Sequence, residues 1–142
     1  MRQILNRGIF PVLACAAAAL LVTATFAAQQ EPMTVKQIMI SLTIPSSDAI
    51  FAAAYETPAS DEQWAAVRRG AVTLGESGKL LMTADHPGDE GWARMARALV
   101  DRSEAALEAA DAKDGEALML AGDDVYLTCE NCHAQYMEGS SP

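Results

Sequence analysis

Cys129, Cys132 and His133 stand in the run Cys129-Glu130-Asn131-Cys132-His133, near the C-terminal end of a 142-residue chain. Cys-x-x-Cys-His is the attachment pattern of a covalent c-type haem. Each thiol can add to one vinyl group of haem b to form a thioether, and the adjacent imidazole then lies under the iron as proximal ligand. On a helix the three residues fall at i, i+3 and i+4 and share one face.

The same dithiol could serve as a redox disulfide, half of a zinc site or a structural bridge in an oxidising compartment. Zinc needs two further ligands, and apart from His133 only His86 is a soft or borderline candidate once the N-terminal leader is gone. A thioredoxin-like motif would end a strand in a βαβ pattern, and no such pattern is visible. One covalent haem c is therefore expected. The haem-free reading is a helical binding protein with a Cys129–Cys132 disulfide.

Arg2 and Arg7 precede a largely apolar run from Gly8 to Ala28, followed by Gln29-Gln30-Glu31. This predicts a cleaved secretory signal over residues 1–27, with Thr25-Phe26-Ala27 as the small-residue site, and a periplasmic domain over 28–142. Left uncleaved, the run approaches the roughly 20 residues that span a bilayer; after cleavage no stable membrane insertion is expected. Val12-Leu13-Ala14-Cys15 faintly resembles a lipoprotein signal, but the residues after Cys15 stay apolar, so Cys15 leaves with the leader. Loss of Arg2 and Arg7 takes the formal net charge from −9 to −11. Such acidity argues against nucleic acid and favours a basic redox partner protein.

The elements that must hold the motif read as four helical segments. Thr34 opens the first, where Val35, Ile38, Met39 and Leu42 form an apolar stripe; Pro45 should kink or stop it near Ile44, and it resumes to Glu56 over Ile50, Phe51 and Ala54. Thr57-Pro58-Ala59 is a turn. Ser60-Asp61-Glu62-Gln63 is a capping box, leading a stripe of Trp64, Val67, Ala71, Leu74, Gly78 and Leu81. Gly70, Ala71, Gly75 and Gly78 permit close approach of a helix or of a flat cofactor. The third segment starts near Asp89 with Trp92, Met95, Ala96, Leu99, Ser103, Ala106, Leu107 and Ala110 inward. A connection from Asp111 to Gly115 leads to the fourth, with Leu118, Ala121, Val125, Cys129, Cys132 and Tyr136 on one side. Short connections predict an all-α, antiparallel up-and-down four-helix bundle with its first helix kinked or broken at Pro45.

An exported four-helix chain with a C-terminal Cys-x-x-Cys-His and an aromatic three residues on, Tyr136, resembles the class II c-type cytochromes, which include cytochrome c-prime and the cytochrome c-556 group. The resemblance implies a monohaem carrier of single electrons, not an enzyme, with His133 proximal and a first-helix residue facing the distal side of the iron. Met39 is the match for a distal thioether ligand, and Met33, before the helix start, is next. An apolar residue there would instead leave an open site that binds NO or CO. Homodimers are frequent in the family, although no stripe here is surplus to a monomer core. Two departures stand out: Met137 replaces a basic residue after Tyr136, and Val35 replaces an arginine four residues before Met39. Lys36, Arg68, Arg69 and Lys79 are left as candidates to neutralise haem propionates. His86 reads as a loop histidine, and Trp64 and Trp92 as core. Val125, Leu42 and the small residues of the second segment are expected against the ring.

Overall fold

A computed structural model describes residues 31–84 and 89–137. The expected leader over 1–27, Cys15 and His86 lie outside the described residues. The chain divides into two units, Met1–Pro32 and Met33–Pro142; the helices among the described residues belong to the second. It is all-helical, with no strand among the described residues.

Helix α1 runs over Val35–Tyr55. Thr34 caps it through a reciprocal box with Gln37, so two backbone N–H groups that lack helical partners find side-chain acceptors. The helix does not stop at Ile44. Met39–Thr43 forms a π-helical stretch, in which the Ile44 N–H reaches back five residues to the Met39 carbonyl. The proline explains the local widening: Pro45 has no N–H to donate, and its ring would crowd the Ser41 carbonyl four residues earlier in a regular α-turn. The extra residue also shifts the stripe. Thr43, Ser46, Ser47, Ile50 and Ala53 are buried, while Leu42 and Ala54 are only half-buried. Although α1 is long and apolar enough to cross a membrane by length and composition, its Ile38 and Ile50 sit in the protein core.

Helix α2, Asp61–Thr83, starts at the Ser60–Gln63 capping box, and its whole expected stripe is buried, Trp64 included. Helix α3, Glu90–Ala112, is capped by Asp89. Its end lies further along than expected: Asp111 and Ala112 are helical, Lys113 takes a left-handed conformation with φ of 53°, and Asp114 already caps α4, Gly115–Tyr136. The connection is two residues because a left-handed C-terminal residue and an immediate Asp cap reverse the chain without a longer loop.

The four helices pack in a cycle, α1 on α2, α2 on α3, α3 on α4 and α4 on α1. The small residues of α2 serve these contacts. A side chain at Gly78 would meet Val100 Cγ2 at 2.8 Å and the Ala96 carbonyl at 3.1 Å. On α4, Gly122 likewise lets Ala54 of α1 approach closely. Thr43 donates to Ser77 Oγ at 3.1 Å, and Ser77 donates to the Leu74 carbonyl at 2.8 Å, so two buried hydroxyls tie α1 to α2 without an orphaned polar atom.

Candidate functional site

Between α1, α3 and α4 lies a cavity of about 640 Å³, within the range of small-molecule and cofactor pockets. Cys129, Cys132 and His133 all line it from α4, and Met39 and Thr43 line it from α1. The four expected site residues therefore meet at one cavity. Both cysteines are half-buried free thiols, and His133, one position further round the helix, is exposed at the wall.

Burial pushes both thiols above the ordinary cysteine value; for Cys129 the neighbouring Cys132 adds to the effect. Both shifts favour the neutral thiol over the thiolate. Among the described residues no three His, Cys, Asp or Glu side chains group as a metal site.

The rest of the wall is mainly apolar. Trp92, Met95, Ala96 and Leu99 line it from the first turns of α3, and Leu81 from the end of α2. Trp92 is held on both sides. Its Nε1 donates to the Leu81 carbonyl at 2.7 Å, and the Tyr136 ring meets it edge-on at 5.2 Å. Tyr136 in turn donates its hydroxyl to Asp89 and accepts from Gln135. Gly91 leaves the room for this, because a side chain there would collide with the Tyr136 hydroxyl. On the other side Phe51 and Tyr126 meet edge-on at 6.3 Å, and Tyr126 donates to Glu130.

Several expectations for the ring environment need correction. Leu42 and Val125 do not line the cavity: the π-stretch turns Leu42 aside, and Val125 is fully buried in the core instead. Of α2 only Leu81 reaches the cavity; its glycines face neighbouring helices. Met33 packs on the core but does not line the cavity. None of Lys36, Arg68, Arg69 and Lys79 lines it either, and Arg68 and Lys79 are engaged with Asp111 and Glu76. Trp64 is core as expected, whereas Trp92 is both core and wall. Thr43, Phe51 and Tyr126 were not anticipated. The stripe beginning Trp92, Met95, Ala96, Leu99 was the available signal for the α3 wall.

The donor set fits a flat, covalently held cofactor: two thiols and an imidazole on one helix turn, a thioether on the facing helix, and apolar or aromatic walls between them. The chain matches no family model, no curated protein and no solved structure, so this fit rests on its own residues.

Proposed function

We propose that this chain is an exported, periplasmic c-type cytochrome with one covalent haem c, an antiparallel up-and-down bundle bent at Pro45, which carries single electrons between redox partner proteins. The observation that carries the reading is the convergence of Met39 with Cys129, Cys132 and His133 on one mainly apolar cavity. Bound haem supplies the one-electron Fe(III)/Fe(II) couple. Cys129 and Cys132 would tether the ring by thioethers, and His133 and Met39 would offer an imidazole and a soft thioether to the iron. Trp92, Leu99 and Phe51 keep water away. Met39 and His133 stand on two helices that pack together, so an iron they held would keep its ligands through one-electron exchange.

The test is export alongside a cytochrome maturation machinery. Haem should stay on the denatured polypeptide; Cys132→Ala should leave one thioether or block maturation, and His133→Ala should abolish the native spectrum. Unaltered spectra in both variants, or a haem-free product with a Cys129–Cys132 disulfide, overturn the reading.

A further inference from the structure

The outward side of α4 is unexpectedly apolar. Met119, Leu120, Tyr126 and Leu127 are 46%, 58%, 53% and 53% exposed, although the inner side of the same helix is well buried. Solvent-facing helix positions ordinarily carry polar side chains, and large apolar ones gathered on one face mark an interaction site. At 100° per residue Leu120, Asp123, Leu127 and Glu130 fall in one stripe. From α1, Ile40 and Ile44 add two more exposed apolar side chains. Of these exposed side chains, Ile44 and Tyr126 also line the cavity.

Charge indicates what covers the patch. Helix α4 carries Glu116, Asp123, Asp124 and Glu130 and no lysine or arginine. Arg102 of α3 pairs with Asp124 at 3.2 Å, and the other three keep the outer side negative. A second copy of the chain would set like charge against like charge, and an anionic lipid surface would be repelled. A protein with a lysine or arginine rim around an apolar centre matches both features.

We propose that the outward side of α4, with Ile40 and Ile44 of α1, is the docking surface for a basic redox protein, which it brings to the cavity wall at Ile44 and Tyr126. This rests on the haem reading above and adds where the partner sits and by what chemistry.

The experiment uses the holoprotein with a lysine-rich class I cytochrome c as probe, measuring association by titration calorimetry and electron exchange by stopped flow at low and high salt. Asp123→Lys should slow low-salt electron exchange by about tenfold and flatten its salt dependence. Leu120→Ser should weaken association at all salt concentrations. Asp101→Lys on α3 makes the same change in net charge and should have far less effect. Equal slowing by Asp101→Lys would reduce the effect to net charge and overturn the surface. A wild type that sediments as a dimer broken by Leu120→Ser would assign the face to a second copy and also overturn it. The two readings fail separately. Haem without sensitivity to Asp123 and Leu120 removes the surface alone, whereas Asp123-sensitive calorimetric binding by a haem-free chain removes the cytochrome reading alone.

Discussion

Tyr136 donates its hydroxyl to Asp89 Oδ1 at 2.7 Å, and that same oxygen accepts the Trp92 backbone N–H at 2.7 Å. One carboxylate oxygen thus caps α3 and ties the last turn of α4, just past the Cys-x-x-Cys-His run, to the first turn of α3.

Burial and the Asp89 hydrogen bond push the Tyr136 phenol up to about 12, from an ordinary value of 10.0. Between these two values the folded chain keeps a proton that the unfolded chain has lost. The stabilisation is therefore complete below pH 10 and declines as pH rises toward 12. Tyrosinate absorbance should show a step near pH 12, and Tyr136→Phe should lose that step and flatten the alkaline decline in stability.

Gly75 and Gly78 separate helix propensity from packing. A Cβ at Gly75 would meet Ser103 at an ordinary 3.5 Å, whereas one at Gly78 would press on Val100 and the Ala96 carbonyl. Gly75→Ala should stabilise by about 0.5–1 kcal/mol. Gly78→Ala should destabilise by about 1–2 kcal/mol in spite of the same propensity gain. Urea unfolding of the two variants measures the contrast.

Helical stripes, caps and the position of the motif were legible in the residues, because Ser60, Asp89 and the 3-4 apolar spacing act locally. The π-stretch was not. Pro45 announces a disturbance, but local residues do not say whether the chain stops or widens there, and the partner that Thr43 meets in the widened turn, Ser77, stands 34 positions away. The misplacement of Leu42 follows directly from that phase change. Convergence of Met39 with the motif was anticipated only through the resemblance, and Trp92, read as core first, is also wall because wall and core share one apolar stripe.

The Thr43–Ser77 pair should behave asymmetrically. Ser77→Ala leaves the Thr43 hydroxyl with only the Ile38 carbonyl at 3.5 Å, a poor acceptor, and should destabilise by about 1–3 kcal/mol. Adding Thr43→Val removes the stranded hydroxyl and should recover part of the loss. A thermal double-mutant cycle reads the coupling.

Met39→Ala probes the distal position in the holoprotein. If sulfur binds iron, the variant should lose the weak near-infrared sulfur-to-iron band and gain affinity for CO. A wild type with broad high-spin bands would instead favour the gas-binding reading, and a low-spin spectrum unchanged by the substitution would move the sixth ligand away from Met39.

The two-residue link at Lys113 and Asp114 bears on the order in which the molecule assembles. Helices α3 and α4 can meet after closing the shortest loop in the bundle, and pairings of small sequence separation close fastest. Helix α1 must find α4 across most of the domain. The hairpin that presents Cys129 and Cys132 thus closes over fewer residues than any pairing that brings in α1, the helix that bears Met39.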